Sequence, residues 1–226
     1  MITGDADSGF TVTNTYNPGT TSFTVTKLWD DEEDQDGRRP NGSGEDAKGL
    51  VEIQLLADGV AEGDPVALTA AAGWTYTWTG LKTAKGGKEI VYTVREAAVE
   101  GYTSKVGKVS GSTVEGYAVT VTNSHVPGTV EVAFAKVWDD NHNQDGNRPK
   151  EVTIRLLADG TEIDTKTVDA VSQTGTDPDR WEGSFTNLPK NKNGKEIVYT
   201  IREAQVPGYT VSYQDLKDGT RQVTNT

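Results

Sequence analysis

Apolar and polar residues alternate along most of the chain. The segments FTVTKLW (23–29), LVEIQLL (50–56), GWTYTWTG (73–80), EIVYTVREA (89–97) and YAVTVTN (117–123) follow a period of two and are rich in Val, Ile, Thr and aromatic residues. That pattern predicts half-buried strands. Clusters of Gly, Asn and Asp punctuate the segments and supply turns. No stretch keeps a helical period, and the Ala-rich stretch at 67–72 declares neither state. Five to seven short strands in about 100 residues predict a β-sandwich.

The pattern repeats. KLWDDEEDQDGRRP (27–40) returns as KVWDDNHNQDGNRP (136–149), VEIQLLADG (51–59) as VTIRLLADG (152–160), and GKEIVYTVREA (87–97) as GKEIVYTIREA (194–204). VTVTNSH (119–125) returns as QVTNT (222–226). A partial copy stands first, where FTVTNTYNPGT (10–20) matches AVTVTNSHVPGT (118–129). Ordered blocks at one spacing are the mark of tandem domains. The expected division is residues 1–19 as the last strand of a preceding repeat, 20–125 as a first full repeat and 126–226 as a second. A lone strand such as FTVTN, with Phe10, Val12 and Asn14 in one row, is expected to stay out of its own first repeat and either lack order or seek an edge on a neighbouring molecule. The short Pro-Gly connectors at 18–19 and 127–128 predict a stiff array. The polar start and single Met predict a piece of something longer.

Because strand side chains alternate between faces, parity tells which groups point inward. Lys27 shares a row with Phe23, Val25 and Trp29. Glu96 shares one with Ile90, Tyr92 and Val94, and Asn123 one with Tyr117, Val119 and Val121. In the second repeat Lys136 sits among Val132, Phe134 and Trp138, Glu203 among Ile197, Tyr199 and Ile201, and Asn225 beside Val223. An isolated buried charge is several kcal/mol unfavourable, so an amine, a carboxyl and an amide on inward faces are expected to meet. On parity alone, a buried Lys-Glu salt bridge completed by the Asn satisfies that requirement.

Composition removes most other chemistry. There is no Cys, so disulfides, thiolate nucleophiles and Cys-based metal sites are excluded, and His125 and His142 are far apart. Acidic residues number 34 against 22 basic ones, a net charge of -12, which disfavours nucleic acid and anionic membranes as partners. No apolar run approaches the roughly 20 residues of a membrane span. The expectation is no enzyme, no cofactor and no metal, in a monomer.

The blocks KVWDDNHNQDGNRP, LLADG, EIVYTIREA and the closing VTN resemble the B-type repeat of the collagen-adhesin family (CnaB domains) found in Gram-positive surface adhesins and pilins. The resemblance covers both repeats, from about residue 20 to 226, and implies two tandem immunoglobulin-like (prealbumin-like) β-sandwiches. It also implies an intramolecular isopeptide bond between a Lys on the first strand and an Asn on the last, assisted by a buried Glu. Carried over by motif, the sets are Lys27, Glu96 and Asn123, then Lys136, Glu203 and Asn225. The role implied is a stalk or spacer in a protein anchored to the cell wall, with adjacent repeats as partners and any host ligand bound elsewhere. The alternative is a module that itself binds a matrix protein or glycan.

Two further motifs carry weaker signals. EEDQDG (32–37) and NHNQDG (141–146) resemble the first half of a calcium loop, but loop position 12 holds Ser43 and Val152 where a bidentate Glu is required, so a polar hairpin turn is expected. Trp74, Tyr76 and Trp78 share a face and would suit sugar stacking, although such aromatics are more often core. The longer loop NGSGEDAKGL of the first repeat is where binding variation would fall.

Overall fold

The structure is a computed structural model, and it describes residues 1–40, 50–172 and 176–226. Ser43 and the NGSGEDAKG insertion lie outside the described residues. Two compact units are present, Met1–Glu33 with Arg38–His125 and Asp34–Gly37 with Val126–Thr226.

In the first unit, one sheet runs in the order Thr103–Val106, Gly116–Ser124, Thr20–Asp30, Thr75–Lys82, with Ser110–Ser112 also pairing Gly116–Ser124. The other places Val51–Ala57 between Tyr92–Glu96 and the short strands Val60–Ala61 and Val66–Leu68. The two inner faces enclose Phe23, Val25, Ile53, Leu55, Val94, Val119 and Val121, among others. The second unit repeats the plan. Arg180–Pro189, Thr129–Trp138, Arg221–Asn225 and Val211–Asp215 form one sheet, and Thr161–Asp169, Glu151–Ala158 and Tyr199–Glu203 the other. Each unit is therefore a β-sandwich whose core is built from the inward rows of two sheets.

Most strand pairs are antiparallel, but the first and last strands of each unit run parallel. Val121 lies opposite Lys27 and Asn123 opposite Trp29; in the second unit Val223 faces Lys136 and Asn225 faces Trp138. Parallel neighbours need a long crossover between them, and here almost the whole domain supplies it. The LLADG block forms the turn that leads out of the strand paired with the Glu-bearing strand. Asp58 and Gly59, like Asp159 and Gly160, all have positive φ, the backbone of a two-residue type I′ hairpin that Asp-Gly favours. Its Asp then holds the following segment: Asp58 Oδ1 accepts from Val91 N at 2.9 Å and Asp159 Oδ1 from Val198 N at 3.0 Å.

One expectation is corrected. The polar loop after the first strand is not a hairpin turn, because the strands on either side of it belong to different sheets. It reverses through three consecutive left-handed residues, Glu32, Glu33 and Asp34, matched by Asn141, His142 and Asn143. The N-terminal FTVTN segment stays out of the sheets of the first repeat. Gly9–Val12 pairs antiparallel with Ile2–Asp5, because Asp5 Oδ1 caps the turn by accepting from Asp7 N and Ser8 N, and Asn14 lies beyond the strand. The Ala-rich stretch splits into the strand Val66–Leu68 and a 3-10 turn, Ala70–Ala72, capped by Thr69 and by Gly73 in the left-handed region.

The units fill one cross-strand position differently. Val25 is registered with Tyr76 in the first, and the corresponding pair in the second is Phe134 with Gly183. Registered pairs share a face, so the two units exchange which strand carries the bulk. A Cβ on Gly183 would lie 2.6 Å from Phe134 Cζ. Gly183→Ala should therefore destabilise the second unit by about 1–3 kcal/mol, and should become close to neutral in a Phe134→Val background. Denaturant unfolding of the four chains measures this, and additive effects would contradict the exchange.

Candidate functional site

The inward parity of the first strand makes its eighth residue an amine in an apolar row. Lys27 and Lys136 side chains have no solvent exposure. Each is surrounded by its own core, Phe23, Val25 and Val121 in one unit and Phe134, Val132 and Val223 in the other. Across the sandwich, Glu96 is registered with Ile53 and Glu203 with Ile154, so that each carboxyl projects toward the first sheet with its side chain 2% exposed. Nζ and carboxylate oxygen are 3.5 Å apart in the first unit and 3.7 Å in the second. Asn123 and Asn225, also fully buried, sit on the last strand one inward position beyond the residue that faces the lysine. The structure thus brings all six residues into two equivalent sites.

Hydrogen bonding at these sites is incomplete. Lys27 Nζ donates to the carbonyls of Leu28 at 3.2 Å and Val121 at 3.4 Å, and Lys136 Nζ donates to Val137 O at 2.8 Å. Asn123 Nδ2 donates to Glu96 Oε1 at 3.3 Å. Yet Glu96 Oε2, Asn123 Oδ1, Glu203 Oε1 and both polar atoms of Asn225 are buried with no hydrogen-bond partner. A buried polar atom left unpaired is unfavourable by about 1–3 kcal/mol, so the sites carry a penalty that a well-satisfied salt bridge would not.

Burial sets the protonation. It pushes both lysines down from 10.5 to about 8, against the opposing pull of Glu96 and Glu203. It also raises Glu203, opposed chiefly by Lys136. In the second unit an amine driven toward neutrality stands beside a carboxyl driven toward its acid form, the pairing that low dielectric produces. The chemistry open to such a site is attack of a free amine on the adjacent carboxamide, with the carboxyl moving protons.

A surrounding shell was not singled out from the sequence. Lys27 Nζ lies 4.5 Å from the ring centre of Trp29, and Lys136 Nζ 3.9 Å from that of Trp138. Trp74 and Tyr102 meet Trp29 edge-on, as Trp181 and Tyr209 meet Trp138. The signal was present in the repeated WDD, DGxRP and GYT blocks, but only the fold shows that they converge. Among the described residues no group of three or more His, Asp or Glu is arranged to hold a metal ion. Among those residues no helix is long and apolar enough to cross a membrane. Trp74 and Trp78 pack against the core, while Tyr76 remains 41% exposed at the sheet edge.

Two β-sandwich repeats in tandem, each enclosing a Lys, a Glu and an Asn where its parallel first and last strands meet the opposite sheet, define the class of this protein. The Cna protein B-type domain matches residues 23–124 and 132–226, and the chain belongs to that family. It is 42% identical over 204 residues to a collagen adhesin of Staphylococcus aureus, an alignment covering 90% of this chain and 16% of that protein. It also resembles the crystal structure of two B repeat units of the collagen binding protein of S. aureus. There the TM-score is 0.76 at 37% identity, over 93% of this chain and 51% of the other.

The lysine shift has a measurable sign. In a chain carrying Asn123→Ala and Asn225→Ala both amines stay free. Below pH 8 the folded and unfolded lysines are both charged; between about 8 and 10.5 the folded ones have lost a proton the unfolded ones keep. The unfolded state then binds more protons, so stability rises with pH across that window. Urea unfolding should show this rise relative to the same chain with Lys27→Met and Lys136→Met. No difference between the two pH profiles would contradict the shift.

Proposed function

We propose that the two repeats are load-bearing spacers of a surface protein of a Gram-positive bacterium, each locked by an isopeptide bond that it forms on itself. The observation that carries this reading is the buried amine beside a buried carboxyl and an incompletely paired carboxamide, built twice in equivalent places.

In the reaction, neutral Lys Nζ attacks the Asn side-chain carbonyl carbon. A C–N bond forms to Nζ, the bond to Nδ2 breaks, an amine proton passes through the carboxyl to Nδ2, and ammonia leaves. No oxidant or reductant takes part. Glu96 Oε1 accepts from Asn123 Nδ2, a contact that suits the carboxyl to return a proton to the departing nitrogen. In its acid form, toward which burial drives Glu203, such a carboxyl can also polarise the carbonyl. The process runs once per domain, so it is self-modification without turnover.

The topology gives the bond its use. Because first and last strands are parallel, tension enters at Thr20 and leaves past Ser124, at opposite ends of the pair. A bond from Lys27 to Asn123 carries that tension directly and leaves the segment between them slack. It closes a loop of 97 residues, counting both ends, and the second bond one of 90. On a chain-entropy estimate each constrains the unfolded state by about 4–5 kcal/mol. Placement outside the cell, attached to the wall, fits a Cys-free chain that needs another covalent staple, and fits the named relative in S. aureus. Its neighbours would be further repeats. Binding of a matrix protein by these repeats rests only on the relative's name.

Glu96→Ala should leave the first sandwich folded but unlinked, its mass falling short of its own sequence by one ammonia where the parent falls short by two. Pulled from its ends, this variant should release about 96 residues of contour from the first unit, on the order of 320 Å at 3.3 Å per residue, where the parent releases none. A fully linked Glu96→Ala chain would contradict the carboxyl's role, and release of that length from the parent would contradict the spacer.

A further inference from the structure

The loop after each first strand has no part in the reaction just described, yet it is among the most closely repeated blocks of the chain. Its left-handed reversal returns an arginine to the strand it came from. Arg39 donates to Asp31 through Nε at 2.8 Å and Nη2 at 2.5 Å, and Tyr102 OH donates to the same carboxylate at 2.8 Å. In the second unit Arg148 pairs with Asp140 through Nε at 3.0 Å and also through Nη2, and Tyr209 OH donates to Asp140 at 3.0 Å. Both guanidinium groups then lie over the tryptophan that contacts the lysine, with Cζ 5.5 Å from the ring centre of Trp29 and 5.1 Å from that of Trp138. A forked pair fixes geometry as well as charge, and a guanidinium stacks on an indole. Every member recurs at its equivalent position, although the intervening residues EEDQ and NHNQ differ.

We propose that this loop is a clamp: Arg39 with Asp31 and Tyr102, and Arg148 with Asp140 and Tyr209, are positioning residues that pin Trp29 and Trp138 over the reacting amine and keep water from it. The inference rests on the cross-linking reading and adds the device that makes the amine reactive. The charged groups facing Lys136 are Glu203 from the other sheet and Asp140 and Arg148 from the loop, with Asp179 accepting from Arg148 and Tyr209 behind Asp140. Those facing Lys27 are Glu96 and Asp31, with Arg39 and Tyr102 behind. Asp140 and Arg148 act on Lys136 in opposite senses, so exclusion of water dominates its shift. Removing the acid and the arginine together leaves the net charge unchanged and tests the clamp as a mechanical part.

The test uses the full chain, obtained unreacted in denaturant, refolded by dilution across roughly pH 6 to 10 and followed by intact mass, with circular dichroism giving the folded fraction. For the parent, first-unit cross-linking should quicken with pH and level off near 8, where Lys27 loses its proton. In D31N/R39Q the rise should move upward by about one pH unit or more, making the reaction about tenfold slower at neutral pH at equal folded fraction, with the rates converging at high pH. A defect that merely loosened the fold would lower the folded fraction without moving the profile. Should D31N/R39Q fail to fold, Tyr102→Phe removes one hydroxyl from the clamp and carries the same test with a smaller shift. A folded variant with the parent's profile would overturn the clamp alone. A parent that never loses ammonia would overturn the cross-linking reading and the clamp with it.

Discussion

Everything in each domain is arranged around an amine in the wrong place. A lysine side chain without solvent exposure, in a row of Phe and Val, is among the least favourable choices a strand can make, and here it is made twice. It is tolerated because a carboxyl comes within 3.5 to 3.7 Å from the opposite sheet and an amide from the adjacent strand. Even so, several polar atoms in these groups remain unpaired. A core selected for stability alone would replace such a set with apolar residues of similar volume, often without loss. Its retention in both repeats fits a core selected to react.

That constraint explains the rest of the architecture. The amine and amide must lie on neighbouring strands, and the parallel pairing of first and last strands puts them there. The carboxyl must cross the sandwich, and the Asp-Gly hairpin with its Asp-to-backbone bonds fixes the strand that delivers it. The amine must be dry, and a tryptophan two residues along the same strand covers it, steadied by aromatic edges. By contrast, packing elsewhere is free to vary, as the exchange of Val25 and Tyr76 for Phe134 and Gly183 shows.

Strands and inward rows were legible in the sequence because period-two alternation is a local signal, and the six site residues stood out as polar groups on apolar faces. What was not legible depended on distant partners. Nothing local to Arg39 and Arg148 tells that a left-handed reversal will bring them back over an indole. The same loop resembled half a calcium site and was expected to be a hairpin; its ends enter different sheets, which only the topology reveals. FTVTN matches a last strand by motif, and the motif alone does not tell that the turn capped by Asp5 pairs Gly9–Val12 with Ile2–Asp5 in this chain.

Intact mass of the purified, folded parent chain tests the central claim most directly, because neither packing nor a salt bridge changes it. The account predicts a mass below that of the sequence by two ammonia molecules, one for each Lys, Glu and Asn set. A mass equal to the sequence mass would contradict it and leave the two sites as buried salt bridges.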